Sequence, residues 1–249
     1  MLKGIDVSTL QGTIDWTKVS AEFAMIKATQ GRGEGAATKL LSRFTDSKFK
    51  SNIVNARCPC GVYHYFTATD KQKAINEADY FCSVIEPYRA NIKLWAALDV
   101  ESFYLDGLGK TELTAIVMTA LERIETRGFK PMLYTNPNYL RYRFEPGAFN
   151  DIDIWLAHWG VSKPYFVPNL MIWQYGTTRT DGISTAVDAN YGYFAVETYR
   201  VGDKYTIKPG DRYSNGVAVP ARLVGKAYTV MQVREGMILL GEISSWVKV

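Results

Sequence analysis

The apolar run LWAALDVE (94–101) closes on two carboxylates, Asp99 and Glu101, two residues apart. In an extended strand residues i and i+2 point to one side, so both acids share a face with Trp95 and Ala97. Asp6 ends the strand-like run GIDV (4–7) in the same way, and Asp188 ends STAVD (184–188). If these runs are parallel strands of a barrel, their C-terminal ends open on one mouth, where such folds place their chemistry. Strands one and eight close a barrel side by side with the fourth across from them, which gathers the four acids. Crowded carboxylates repel when ionised, so at least one should keep its proton at raised pH. A protonated acid beside an ionised one is the pairing that splits an acetal. One group protonates the leaving oxygen, while another stabilises the developing positive charge or positions a nucleophile. This chemistry calls for no metal and no cofactor.

An aromatic content of 13% suits a sugar ligand, because rings stack on the apolar faces of pyranosides. Tyr63, Tyr65, Tyr134, Trp155, Trp173 and Tyr175 all fall on strand-like runs, mostly near their ends, and are the candidate cleft residues. Other chemistries lack their signatures: there is no G-x-S-x-G, no G-x-x-x-x-G-K-[ST], and no G-x-G-x-x-G after a strand. The Gly-rich stretch QGRGEGAAT (30–38) lacks a Lys-Ser/Thr ending and reads as a loop at the cleft rim or a linker. His64, between Tyr63 and Tyr65, should face away from them into helix packing. With two histidines, and three cysteines off zinc spacing, no metal site is expected. Cys58, Cys60 and Cys82 read as plain thiols.

The elements that must position these residues alternate. Strand candidates are 4–7, 23–28, 60–66, 94–101, 131–135, 153–159, 170–175 and 184–188; helical spacing marks 42–57, 70–88 and 111–127. In the last, Leu113, Ile116, Val117, Ala120, Leu121 and Ile124 form a stripe, Thr111 is placed to cap it, and Gly128 ends it. Eight strands with three clear helices predict an α/β fold, an incomplete (β/α) barrel whose later strands are joined mostly by loops. After Glu197 short β-type segments are separated by Gly, Pro and Asn-Gly turns, which suits a small β-barrel. The expected boundary lies near Tyr199, giving a hydrolytic barrel at 1–198 and a β module at 199–249. The net charge of +4 sits in the tail: residues 200–249 hold eight Lys+Arg against four acids, leaving 21 of each before them. A basic tail favours an anionic polymer as partner. No window approaches 18 uninterrupted apolar residues, so no membrane span is expected, and no nucleic-acid partner is implied. The start MLKGIDVS lacks a secretory pattern, so synthesis in the cytoplasm and release by a route other than Sec are expected.

The ordered motifs GIDVSTLQGTIDW, AMIKATQG, GVYHYF, ALDVE, PMLYT, DIWLAHW, IWQYG and VDAN resemble those of family 25 glycoside hydrolases, the muramidases of phage endolysins and bacterial autolysins, over about residues 3–195. The resemblance implies an irregular barrel of eight strands and about five helices. It also implies hydrolysis of the β-1,4 bond between N-acetylmuramic acid and N-acetylglucosamine in peptidoglycan. It makes Glu101 the general acid and Asp99 the partner that orients the 2-acetamido group or stabilises charge. Asp6 and Asp188 match the flanking acids, Tyr63 and Tyr134 cleft tyrosines, and Trp155 a cleft aromatic. Two departures stand out: Gln30 where many members carry Glu, and His158-Trp159 in place of the more usual pair. The tail resembles an SH3-like cell-wall-binding module in texture. Two other readings stay open at this point, a non-catalytic wall-binding protein on the same scaffold and a chitinase-like hydrolase.

Overall fold

The computed structural model describes residues 1–31, 44–195, 199, 201–234 and 237–248, so Arg32–Arg43, with most of the Gly-rich stretch, lie outside it. The chain divides into two compact units, Met1–Phe194 and Ala195–Val249.

In the first unit the apolar runs become strands, most of them buried on both faces. In chain order these are β1 (Leu2–Val7), β2 (Phe23–Gln30), β3 (Phe44–Thr45), β4 (Cys60–Tyr65), β5 (Ile92–Asp99), β6 (Pro131–Thr135), β7 (Ile154–Ala157), β8 (Leu170–Thr178) and β9 (Val187–Gly192). They run in the order β1-β9-β8-β7-β6-β5-β4-β2, and β1 pairs with β2 to close an eight-stranded barrel. Neighbours are parallel except at β9, which is antiparallel to both β8 and β1. β3 folds back on the end of β2 as an extra antiparallel strand.

Side-chain alternation decides what fills the barrel. Phe23, Met25, Trp95, Ala97, Met132, Tyr134, Trp155 and Ile172 form an inner cluster, while Ile26, Val62, Ala96, Leu98 and Leu133 face outward to the helices. Room for the large inner residues comes from Gly4, whose hydrogen lies against the Phe23 ring, and from Gly61, against Met25. The helices are α1 (Phe49–Asn55), α2 (Lys71–Ile85) and α3 (Lys110–Thr126). Asp70 caps α2, its Oδ1 accepting the Lys73 N–H at 2.8 Å. α3 buries the stripe read from its sequence. Asp79 on α2 takes a two-pronged bond from Arg123 on α3, at 2.9 and 3.0 Å.

Several expectations change. The helix expected at 42–57 is shorter, because 44–45 pair with β2. Thr111 does not cap α3; the N-cap is Gly109, and the Thr111 hydroxyl bonds Glu145 instead. Three α-helices are present among the described residues, where the resemblance implied about five. Asp188 does not end the last strand but is its second residue. Since β9 runs antiparallel, its beginning reaches the mouth that the other strands reach with their ends.

The second unit is an antiparallel meander of β10 (Lys204–Thr206), β11 (Ala227–Arg234), β12 (Met237–Leu240) and β13 (Ser245–Lys248). Its own core holds Tyr205, Ile207, Val219, Tyr228, Val230, Ile238, Leu240 and Val247. Asp211 ties its first turn, accepting the Tyr205 hydroxyl at 2.7 Å and the Lys208 N–H at 2.8 Å.

Candidate active site

The mouth of the barrel gathers all four carboxylates singled out in the sequence. β1 delivers Asp6 and then stops, because Ser8 starts a tight turn with a reciprocal cap: its hydroxyl accepts the Leu10 N–H, and Gln11 accepts the Ser8 N–H at 2.8 Å. Asp188 sits opposite Asp6 in the β1–β9 register. β5 ends at Asp99, in register with Tyr65 on β4 and Tyr134 on β6. Glu101 lies just past the strand, exposed. The inward parity expected for Trp95, Ala97 and Asp99 holds: the two apolar residues line the inner cluster beneath Asp99.

Burial and mutual repulsion push these acids upward in pKa. Asp6 rises to about 7, chiefly because it is buried and next because Asp188 is close; bonds from Asn190 and Gln174 hold it back. Burial, then the charge of Glu101, pushes Asp99 well above the usual carboxylate range, and Lys27 opposes this. Glu101 is raised by desolvation and then by Asp188, with Lys27 again opposing. Asp188 is raised by desolvation. Burial and like charge thus both favour protons on the cluster. Asp99 is 6% exposed, and its Oδ1 is buried with no hydrogen-bond partner. An unsatisfied buried carboxylate oxygen costs free energy unless a ligand donor meets it.

The structure adds residues that pattern reading missed. Gln174, on the inward face of β8, donates from Nε2 to Asp6 Oδ2 at 3.0 Å and to Asp188 Oδ2 at 3.5 Å. Asn190 on β9 donates to Asp6 Oδ2 at 2.7 Å and accepts the Trp155 indole N–H at 2.8 Å. Lys27 on β2 faces the acids, bonded to Gln30 Oε1 at 2.8 Å, with its ammonium 5.1 Å from the Tyr65 ring centre. Desolvation lowers its pKa, while Asp99, Asp46 and Glu101 counter that loss. Its signal was present: in FAMIKA it follows Phe23 and Met25 on the inward parity. Gln30, noted for replacing an acid, proves to be its hydrogen-bond partner.

The aromatic candidates separate. Tyr63, Tyr65 and Tyr134 stand in the mouth beside the acids, and burial raises the pKa of each phenol. The Tyr134 hydroxyl donates to Gln174 Oε1 at 3.0 Å. Trp155 is only 1% exposed and meets Tyr63 and Tyr134 edge to face, with centroids 5.7 and 4.6 Å away. It therefore forms the floor beneath the tyrosines and offers no open face to a sugar. Trp173 is not in the mouth. Alternation along β8 turns Gln174 inward and Trp173 outward, so Trp173 lines a depression on the outer wall with Tyr175, Tyr191 and Tyr193. His64 faces away, as expected: its Nε2 meets Glu77 Oε2 at 2.9 Å, its Nδ1 meets the Thr29 hydroxyl at 2.7 Å, and Phe81 of α2 lies against it. The three cysteines are free thiols.

The chain is similar in sequence and fold to known proteins. The chain is 31% identical to Lysozyme M1 of Streptomyces globisporus, over 76% of this chain and 67% of that protein. It is 29% identical to the autolytic lysozyme of Clostridium acetobutylicum, over 84% of this chain and 60% of that protein. The crystal structure of the bacterial lysozyme from Streptomyces coelicolor superposes with a TM-score of 0.62 at 28% identity, covering 78% of this chain and 93% of that one. Residues 5–183 match the glycosyl hydrolases family 25, and with four acids in one barrel mouth the chain belongs to that family.

Proposed function

We propose that the chain is a peptidoglycan hydrolase, a lysozyme of the endolysin or autolysin type, that cuts the β-1,4 bond between N-acetylmuramic acid and N-acetylglucosamine. The observation that carries this reading is the convergence of Asp6, Asp99, Glu101 and Asp188 at one mouth, with raised pKa values and an unpartnered Asp99 oxygen. Glu101, exposed at the rim, is the general acid: it hands its proton to the glycosidic oxygen as the bond to the anomeric carbon breaks. Buried Asp99 Oδ1 accepts the N–H of the 2-acetamido group and steadies the developing positive charge. Asp6 and Asp188, held by Gln174, supply the negative field behind the ring. A water then adds at the anomeric carbon, gives one proton back to Glu101 and completes hydrolysis.

The second unit acts in this proposal as an SH3-like wall-binding module. Its basic surplus is matched to anionic wall polymers, and tethering raises the local substrate concentration without new chemistry. Synthesis in the cytoplasm and action on the wall after release complete the proposal.

The decisive experiment is mass spectrometry of fragments released from purified cell walls by the parent chain and by Glu101→Gln. The parent should release muropeptides with reducing N-acetylmuramic acid ends, and the variant should be slower by at least ~10²-fold. Uncleared walls with the parent would end the hydrolase reading. Cleavage of chitin oligomers with murein spared would redirect it to chitin.

A further inference from the structure

Gln174 is 4% exposed, and its side chain spends all four hydrogen-bonding positions. Oε1 accepts the Tyr134 hydroxyl and the Trp159 indole N–H, each at 3.0 Å; Nε2 donates to Asp6 and Asp188. The partners fix the orientation of the amide. Turned over, its NH2 would face two donors and its oxygen two carboxylates. One rigid amide thus joins the two acids of β1 and β9 to a tryptophan on the loop after β7.

That tryptophan is far more open than Trp155 and Tyr134. Trp155 is enclosed and Tyr134 nearly so, whereas Trp159 is 50% exposed while its N–H is bonded inward. The neighbouring backbone holds it in place, since the His158 N–H donates to the Gln174 carbonyl at 3.0 Å and His158 Nδ1 accepts the Tyr165 N–H at 3.0 Å. An exposed ring tethered at its polar edge keeps its apolar area for a ligand, at small cost in conformational freedom.

We propose that Trp159 is a substrate-positioning residue whose indole is the platform for one pyranose of the glycan strand, and that Gln174 locks this platform to Asp6 and Asp188. The identity of the glycan rests on the hydrolase reading above; the platform rests on the exposed ring and its tether. Stacking acts on binding more than on bond breaking. The lock acts on the acids: Asp6 faces Asp188 on β9, Asp99 and Glu101 at the end of β5, Tyr63 on β4 and Tyr134 on β6, with Lys27 on β2 as the cation facing Asp99 and Glu101.

The test uses the full chain and soluble, peptide-free glycan strands prepared from cell walls. In the Glu101→Gln background, calorimetry reads binding without hydrolysis. Adding Trp159→Ala should weaken binding about 3- to 10-fold, and adding Trp159→Phe, which keeps a ring but loses the tethering N–H, should recover only part of it. With Glu101 intact, Trp159→Ala should raise KM by a similar factor and leave kcat within about twofold. Unchanged binding in Trp159→Ala overturns the platform, and full recovery in Trp159→Phe overturns the part of the tether in it. Gln174→Leu, or Gln174→Asn should the former not fold, takes the Gln174 donor from Asp6 and from Asp188 and should move the acid limb of kcat/KM to higher pH. An unmoved limb in a folded variant overturns the lock. A parent that binds strands but releases no reducing ends would instead count against hydrolysis alone.

Discussion

At the residue scale the site is a balance between burial, which drives protons onto the acids, and a few donors that resist it. Asp6 shows the consequence for stability. Its folded pKa, about 7, lies above the ordinary value of 3.8, so the unfolded chain releases this proton first as pH rises. Its contribution to stability therefore falls between about pH 4 and pH 7, by on the order of 4 kcal/mol for the full shift. Asp6→Asn keeps an oxygen for Asn190 and Gln174 and removes the charge. Thermal melts at pH 5 and pH 8 should show its midpoint falling less than the parent's, with activity largely lost; equal slopes would exclude Asp6 as the source. Asp99→Asn is expected to lose activity on the scale of Glu101→Gln, at least ~10²-fold, while circular dichroism shows an intact fold. A mild kinetic effect there would mean that the charge of Asp99 is dispensable, since asparagine still offers an oxygen to the substrate amide.

At the element scale the barrel depends on glycines that make room for its filling. A Cβ on Gly61 would lie 2.9 Å from the Trp95 carbonyl oxygen, a backbone atom that has little freedom to move, besides crowding Met25. Gly61→Ala should therefore cost about 1–3 kcal/mol in denaturant unfolding, whereas Gly107→Ala, with open space around it, should be close to neutral. Behind the cleft, Glu77 of α2 accepts from the Thr67 N–H at 3.0 Å and from its hydroxyl at 2.8 Å, and also meets His64. Glu77→Leu would strand those buried groups at a cost of about 3–5 kcal/mol, and it should loosen the ends of β2 and β4 that carry Lys27 and Tyr65. Hydrogen exchange at Thr67 reads that loosening directly; unchanged protection would mean the network is dispensable.

At the scale of the whole molecule, two units with separate cores predict separable functions. A chain cut after residue 194 keeps the closed barrel and all four acids. On soluble glycan strands its kcat/KM should match the parent within about twofold, while clearing of intact walls should slow by an order of magnitude or more if the second unit tethers. Equal clearing by both chains would reduce that unit to an appendage.

Much of the site was readable in one dimension because its rules are local. A period of two puts Asp99 on the face of Trp95 and Ala97 whatever the neighbours are, and His64 on the opposite face from Tyr63; a period of 3.6 draws the stripe of α3. The same alternation contained Lys27, but parity does not report that a lysine faces acids brought from other strands. The direction of β9, the outward turn of Trp173, the enclosure of Trp155 and the meeting of Gln174 with Asp6, Asp188 and Trp159 were settled only by which strands lie side by side. Each joins residues far apart in the chain, and no local propensity encodes a partner at that separation. Residue types and periodicity thus determined which groups were available for chemistry, and barrel closure decided which of them meet.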